Sequence, residues 1–342
     1  MHPSPLPLLL WLVLFLGRCE LIQPAGQHSQ FWLQGDYSIA GLFPLHRTYV
    51  ADSNLPVLGN CNKGKMNKHG YHLMQAMRFA VEQINNATNS WDLLPGVTLG
   101  YQTYDTCSRQ ANTLTAIDLL VQQSRKVSDE RGMATVAVIG PDRSSYAFIP
   151  AAVLSYDLLP QISYEASNEM LSNKFLYPAF FRTIPSDKNQ VNAMIQLLVR
   201  FKWTWIALLG SANEYGMQGM QSLSKQASQH DICIAYQAVI PRYSAAVRPQ
   251  MEQMVTRIIQ TQVNTIVVFS SKTILSKFFP MVIAQNVTGK VWIGTEDWSV
   301  ATLISNIDGI RTIGTVLGVT IKYTEIPGFQ SFEERSAAVA KR

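Results

Sequence analysis

The chain has 342 residues, which is enough for one large domain or for two domains of ordinary size. Hydrophobic residues make up 47% of the sequence and charged residues only 15%, so the chain can bury a sizeable core. The formal net charge is +5, but the Lys and Arg residues are scattered and form no basic stripe with aromatic residues, which argues against nucleic acid as a partner.

Residues 1–19 are predicted to be a secretory signal peptide. Leu6–Leu16 is an unbroken apolar run that is too short to span a bilayer, and small and polar residues follow it. The other interpretation is a buried helix at the N-terminus, which the early prolines disfavour. No later apolar run is long enough to cross a membrane, so we expect a chain that is secreted or anchored further on.

Cysteines and sequons also favour an extracellular location. Cleavage near residue 19 would leave Cys61, Cys107 and Cys233, and this odd number predicts one disulfide and one thiol whose partner is missing. Cys61 and Cys107 are far apart in sequence and fit a disulfide better than a metal site. Asn86 and Asn286 each begin an Asn-x-Thr sequon, which predicts glycosylation in such a protein.

Apolar runs of strand length alternate with stretches of helical periodicity. The predicted strands are Tyr37–Leu45, Val97–Tyr104, Thr135–Gly140, Trp203–Leu209, Thr265–Phe269, Val291–Ile293 and Thr315–Ile321. The predicted helices are Tyr71–Ile84, Arg109–Gln123, Ala147–Ser155, Asp187–Arg200, Tyr215–Gln229, Arg248–Gln260 and Thr273–Ala284. Near-continuous apolar strands indicate sheets that are covered on both faces, so the alternation predicts a doubly wound α/β fold.

The alternating region is longer than one such sheet commonly needs. We therefore predict two lobes with a crossover near Thr183–Asp187. Ligands of open α/β sheets bind beyond the carboxyl ends of the strands, so two facing lobes would hold a ligand in the cleft between them.

Hydroxyl and carboxyl side chains follow the predicted strand ends. The candidates for a ligand site are Ser144, Ser145, Glu165, Ser167, Asp187, Tyr215 and Glu296. Hydroxyls and free N–H groups at a helix start suit a carboxylate, and Asp and Glu suit an ammonium group, so the set could hold a zwitterion. The alternative is ordinary helix capping by the serines and by Asp187.

Signatures of enzymes and metal sites are missing from the sequence. It has no nucleotide-binding glycine motif, no H-E-x-x-H and no G-x-S-x-G. His69 and His72 are close together but lack convincing further metal ligands. We expect no metal, no cofactor and no catalysis, although a secreted α/β enzyme remains an alternative function.

An ordered series of motifs between residues 31 and 332 resembles the ectodomain of class C G-protein-coupled receptors, and within that class the taste receptor type 1 family. The motifs are Gly35–Tyr37, Gly41–His46, Gln75–Glu82, Ile84–Asn86, Leu94–Tyr101, Asp105–Cys107, Val138–Asp142, Leu159–Tyr164, Arg182–Asp187, Trp203–Trp205, Tyr215–Gly216 and Asp231–Ala235. The resemblance implies a bilobal Venus-flytrap fold that closes on an L-amino acid.

Family roles carry over to particular residues. Ser144, Ser145 and Ser167 would bind the ligand carboxylate, and Asp187, Tyr215 and Glu296 would surround its ammonium group. These roles come from the resemblance and not from spacing.

Three further residues are possible ligand contacts. Glu165 replaces a small residue that is common in the family, so it could favour basic ligands or repel acidic ones. A nucleotide enhancer binds near the cleft mouth of one family member; His46 and Lys272 fit that role in type, whereas Ala301 and Leu303 do not.

The resemblance also implies the wider organisation. Residues 20–186 would form lobe 1, residues 187–322 lobe 2, and residues 323–342 a truncated start of the return to lobe 1, so the fold would be incomplete at its C-terminus. Cys61 and Cys107 match a lobe 1 disulfide, and Cys233 matches a cysteine that pairs with a downstream domain.

Partners and location follow from the same resemblance. The receptor would lie in the plasma membrane with this region outside the cell, pair with a second family subunit, namely member 3, and couple to a G protein through an absent membrane domain. The helices Tyr71–Ile84 and Arg109–Gln123 are candidate dimer surfaces. The alternative is a soluble secreted amino-acid-binding protein that does not signal.

Overall fold

The computed structural model describes residues 31–48, 58–86, 93–126 and 134–339. The predicted signal peptide therefore lies outside the described residues, as do the second and third positions of the first sequon.

The described residues form an alternating α/β structure. The strands are β1 Trp32–Leu33, β2 Tyr37–Phe43, β3 His46–Arg47, β4 Lys65–Met66, β5 Leu99–Asp105, β6 Ala134–Ile139, β7 Gln161–Ser163, β8 Phe180–Arg182, β9 Trp205–Ser211, β10 Cys233–Ile240, β11 Thr265–Phe269, β12 Lys290–Thr295 and β13 Gly314–Val319. The α-helices are α1 Lys68–Asn85, α2 Gln110–Lys126, α3 Ser144–Tyr156, α4 Asp187–Arg200, α5 Glu214–Ser228, α6 Arg248–Gln260, α7 Lys272–Ala284, α8 Glu296–Ser299, α9 Thr302–Ser305 and α10 Phe329–Val339.

The first sheet has the strand order β1-β5-β2-β6-β7-β8, and its neighbours are parallel except for the β1–β5 pair. Alternate residues of β2 face opposite sides, as the period of a strand requires. Ala40 and Leu42 pack with α2, whereas Ile39 and Phe43 pack with α1. Helices therefore cover both faces of this sheet.

The second sheet is parallel throughout, with the order β10-β9-β11-β12-β13. Alternate side chains of each strand again point to opposite faces of the sheet, and each face packs in its own hydrophobic core. Ile206 and Leu208 of β9 pack with α4 and α5, whereas Ala207 and Leu209 pack with the cluster that includes α6 and α7. The strands of both sheets thus confirm the predicted doubly wound α/β class.

The chain passes from one sheet to the other between β8 and α4. Arg182 still pairs in register with Ser163 of the first sheet, while Val191 of α4 already packs in the core of the second. After β13 the chain returns, and Phe329 and Phe332 of α10 pack edge-to-face against Phe79 of α1. Residues 183–186 therefore join β8 of the first sheet to α4, which packs on the second.

Two of the differences from the sequence prediction have a clear physical reason. The strand β10 was not predicted, because an edge strand that is only partly buried has a mixed composition that includes Gln237. The helix α3 begins at Ser144 rather than near residue 147. This earlier start places both Ser144 and Ser145 in the first helical turn.

Candidate functional site

The N-terminus of α3 forms one wall of the candidate site. It follows β6 through Gly140, whose φ of 99° and close approach to the Leu42 carbonyl would strain any residue with a Cβ. No side chain caps the start of α3, so its first N–H groups remain available to a ligand anion. The Ser144 side chain is buried, and its Oγ accepts a hydrogen bond of 3.2 Å from the Asn168 N–H.

The segment after β7 joins this helix start to Asp187. Ser167 is buried, and its carbonyl accepts a 2.9 Å hydrogen bond from the Asp187 N–H. Asn168 donates from Nδ2 to the Glu214 carbonyl at 3.2 Å, which connects the first-sheet side to the start of α5. The serines, Asp187 and the α5 start are therefore parts of one connected cluster.

Asp187 begins α4 and is completely buried. Burial raises the pKa of its carboxyl to about 7, and a hydrogen bond from Ser167 only partly opposes this shift. Its Oδ1 accepts a 3.2 Å hydrogen bond from Gln190 Nε2. Near neutral pH this carboxyl is therefore about half protonated in the ligand-free molecule.

Tyr215 and Glu296 lie at the other side of the same cluster. Burial, with a smaller contribution from the Asp187 carboxyl, raises the pKa of the Glu296 carboxyl to about 7. Burial also raises the pKa of the Tyr215 phenol well above its usual value, with Glu296 and Asp187 adding to the shift. The hydroxyl thus stays neutral beside two acids that resist ionisation.

Several buried polar atoms in this cluster have no hydrogen-bond partner of normal geometry among the described residues. They are Asp187 Oδ2, Gln190 Oε1, Tyr215 Oη, Thr295 Oγ1 and Glu296 Oε2. Unpaired buried acceptors are costly, and a ligand cation that donates to them would remove that cost. Two acids with raised pKa values and unpaired oxygens are the arrangement that an ammonium group would stabilise.

Three residues of this cluster were not predicted from the sequence. Gln190 lies one turn after Asp187 on the same face of α4 and interacts with both acids. Arg182 donates to the carbonyls of Ser167 and Asn168 at 3.2 and 2.8 Å and so holds this segment in place. The i, i+3 spacing could have indicated Gln190, but no local signal indicates Asn168 or Arg182.

The further ligand candidates are each paired with another side chain. Glu165 binds His69 at 2.6 Å, and this hydrogen bond raises the pKa of the imidazole. His46 Nδ1 lies 2.6 Å from an Asp105 carboxylate oxygen, beside the disulfide. Lys272 binds Asp297 at 3.1 Å. His46 and Lys272, the two residues considered for binding a nucleotide phosphate, are thus already paired with Asp105 and Asp297. Glu165 stays partly exposed.

The structure contains the disulfide that the resemblance implies. Cys61 and Cys107 form a disulfide whose Cα atoms are 5.3 Å apart, within the usual range. Asp105 lies beside this pair, but cysteines joined to each other are not thiolate ligands for a metal. Cys233 is exposed and has no disulfide partner among the described residues.

Two further observations concern the surface. Asn286 and Asn86, where the sequons begin, are both exposed. Within the described ranges, every helix is too short or too polar to cross a bilayer.

Comparisons with known proteins agree with this geometry. Residues 72–341 match the family described as receptor family ligand binding region. Taste receptor type 1 member 1 of Mus musculus is 44% identical over 311 residues, which cover 89% of this chain and 37% of the relative. Member 1 of Homo sapiens is 43% identical over 319 residues, or 91% of this chain and 38% of the relative.

Member 2 of Mus musculus is 41% identical over 323 residues, or 90% of this chain and 38% of the relative. The sequence segments Arg182–Lys188 and Val316–Val319 indicate member 1 first and member 2 as its near rival. Both members are among these relatives. The chain spans less than half the length of the relatives it matches. It belongs to the family of receptor ligand-binding regions, which has the Venus-flytrap fold, and within that family it groups with the taste receptor type 1 proteins.

Proposed function

We propose that this chain is the extracellular ligand-binding region of a class C taste receptor and that it binds a free L-amino acid without chemical conversion. The observation that carries the proposal is the presence of Asp187 and Glu296, two buried acids with raised pKa values and unpaired oxygens, in one cluster. Such a pair needs a cation, and the α-ammonium group of an amino acid supplies one.

The α-carboxylate would bind at the start of α3. The uncapped N–H groups of the first turn and the positive end of the helix dipole favour an anion there, by up to about 2 kcal/mol in a partly buried site. The hydroxyls of Ser144, Ser145 and Ser167 add donors. The anionic and cationic ends of one small molecule would then bridge the cluster from α3 to α8.

The ligand side chain would extend towards Glu165. Because Glu165 already accepts from His69, its charge is partly compensated, and the pair stays hydrogen-bonded whichever group holds the proton. We propose that the pair disfavours acidic side chains most strongly at higher pH, where His69 is neutral.

We take the two sheets as two lobes that divide near residue 187. An amino acid that contacts Ser144 on one lobe and Glu296 on the other would favour the closed state, which is a population shift. The receptor would transmit closure through a heterodimer with the family's member 3 subunit to a membrane domain and a G protein.

Helix α3 is the better candidate for the dimer surface than the two helices predicted from the sequence. Ile149, Val153 and Tyr156 recur along one side of it and are 42%, 38% and 86% exposed, and Leu158 follows at 68%. Exposed apolar side chains at helical spacing favour contact with another protein.

The test is calorimetric titration of the purified chain with L-amino acids at pH 7.5. We expect Glu296→Gln and Asp187→Asn each to weaken binding at least tenfold, because a charge-assisted hydrogen bond contributes about 1.5–3 kcal/mol. The control Glu333→Gln, which removes an acid paired with His72 far from the cluster, should bind normally.

Ligand analogues separate the two ends of the site. An amino acid amide lacks the carboxylate, so it should bind the wild type more weakly than the acid does, and this difference should be smaller in Ser144→Ala. An α-hydroxy acid lacks the ammonium group and should bind weakly to the wild type. Equal binding of the amino acid to the wild type and to both acid variants would refute the proposed site.

A further inference from the structure

We propose that a second cavity, bounded by α3 and α5, binds an amphipathic aromatic anion. The cavity measures about 860 Å³, which is within the range of small-molecule sites. Phe148, Met170 and Tyr177 line it from the first-sheet side, and Met217, Met220 and Val239 line it from the second-sheet side. We call it the α3–α5 cavity.

The walls of this cavity determine the body of the ligand. Two aromatic rings and three methionines provide a polarisable apolar surface, and thioether side chains adapt their shape to flat rings. Phe148 and Tyr177 already contact each other with ring centroids 6.1 Å apart. An aromatic molecule that enters between them and the methionines would remove apolar surface from water on both sides.

Two polar groups determine the rest of the ligand. Lys225 lines the cavity, is exposed, and forms no ion pair among the described residues. Glu214 is the acid of α5 that lines the cavity, and it lies about 16 Å from Lys225 along the helix axis. Gln218 Oε1 is buried without a partner, while its Nε2 donates to Ser222. The occupant therefore carries one anionic group for Lys225 and one donor for Gln218.

The cavity is separate from the amino-acid site but shares its framework. Helix α3 carries Ser144 in its first turn and Phe148 one turn later, and α5 carries Tyr215 and then Met217. The hydrogen bond from Asn168 to the Glu214 carbonyl lies at the boundary between the two sites. A molecule in the cavity thus contacts the same elements that position the amino-acid ligand.

This shared framework gives the sign of the coupling. In the spacing observed here, Tyr215 Oη and Glu296 Oε2 are excluded from solvent, so the elements around the amino-acid site lie close together. A molecule that contacts both walls of the α3–α5 cavity stabilises this same spacing. It therefore strengthens amino-acid binding, and the amino acid strengthens its binding equally. The coupling rests on the proposed function, whereas the binding itself does not.

The probe is 1-anilinonaphthalene-8-sulfonate, which has apolar rings, an N–H donor and an anion, and whose fluorescence rises in apolar surroundings. We expect saturable binding of one probe per purified chain. Met217→Trp fills the cavity and should weaken binding at least tenfold. Lys225→Gln should weaken it about two- to fivefold, as expected for an exposed ion pair. N-phenyl-1-naphthylamine, the same molecule without the sulfonate, should be insensitive to Lys225→Gln.

Matched controls are exposed residues outside the cavity. Met66→Trp on β4 and Lys277→Gln on α7 should leave probe affinity unchanged. Normal probe binding by both Met217→Trp and Lys225→Gln would overturn the cavity assignment.

The coupling is measured with a saturating L-amino acid, which should tighten probe binding to the wild type. Unchanged probe affinity, in a chain that calorimetry shows to bind the amino acid, would overturn the coupling. A chain that binds the probe but no amino acid would count against the proposed function and leave the cavity assignment supported.

Discussion

Asp187 and Glu296 are acids whose surroundings favour the protonated form. Burial raises the pKa of each carboxyl to about 7. The unfolded chain has ordinary carboxyl pKa values, so between about pH 4 and pH 7 the folded chain holds more protons than the unfolded one. The stabilising contribution is therefore complete at low pH and is lost as the pH rises through about 7.

This difference predicts that the ligand-free chain is more stable at pH 5 than at pH 8. We expect a loss of unfolding free energy on the order of 5 kcal/mol over this range, about half from each carboxyl, measured by urea unfolding at each pH. The double variant Asp187→Asn/Glu296→Gln should lose most of this slope, while Glu333→Gln keeps it. A wild-type chain that gains stability towards pH 8 would contradict these pKa directions.

The sequence could predict which polar residues lie after strand ends, around the candidate site, but not all of their partners. Ser144, Asp187, Tyr215 and Glu296 each follow a strand end, and parallel topology brings such ends together. Arg182 belongs to one of the family motifs, but the sequence does not predict that it holds the segment of residues 167 and 168 in place. Its role depends on a turn that returns the carbonyls of residues 167 and 168 to it. Such contacts depend on the path of the chain and not on any local pattern.

At the scale of elements, the loop from β7 to the 3₁₀ helix Glu169–Ser172 connects the site to the first sheet. Arg182 on β8 spans this loop and also contacts Ser172 and Glu169. The planar guanidinium serves several acceptors at once, which a lysine ammonium cannot reproduce in the same geometry.

We therefore predict that Arg182→Met destabilises the chain by about 1–3 kcal/mol, because the carbonyls of residues 167 and 168 each lose a charged donor and keep only one backbone N–H. Amino-acid affinity should fall as well, since Ser167 is no longer held. Arg182→Lys should not restore it. Calorimetry and thermal melting would measure both effects, with Arg200→Met, at the exposed end of α4, as the control. Full recovery by lysine would show that only the charge matters.

Elements were predictable where burial was uniform. β11 has the predicted bounds because all five of its residues are buried apolar or β-branched ones. The sequence does not predict β10, because β10 is an edge strand that is only partly buried. It predicts the start of α3 three residues too late, because Ser144 and Ser145 have the composition of a loop that precedes a helix. Partial burial and helix starts depend on tertiary neighbours, which one sequence does not display.

At the scale of the molecule, the disulfide Cys61–Cys107 closes a separation of 46 residues next to the carboxyl ends of β2 and β5. Its loop length corresponds to about 4 kcal/mol of unfolded-state entropy. The double variant Cys61→Ser/Cys107→Ser should therefore melt several degrees lower than the wild type. Cys233→Ser, which removes an exposed thiol, should melt as the wild type does.

The ligand is proposed to bind between elements of the two sheets, in contact with Asp187 and Glu296. The protonation state of these two carboxyls therefore reports directly on ligand binding. Calorimetric titration of the chain with an L-amino acid at pH 7, repeated in buffers of different ionisation enthalpy, measures the protons released on binding. If the ammonium group ionises both Asp187 and Glu296, about one proton leaves per ligand, half from each carboxyl of pKa about 7. Release should vanish in Asp187→Asn/Glu296→Gln. Tight binding to the wild type with no proton released would contradict the account.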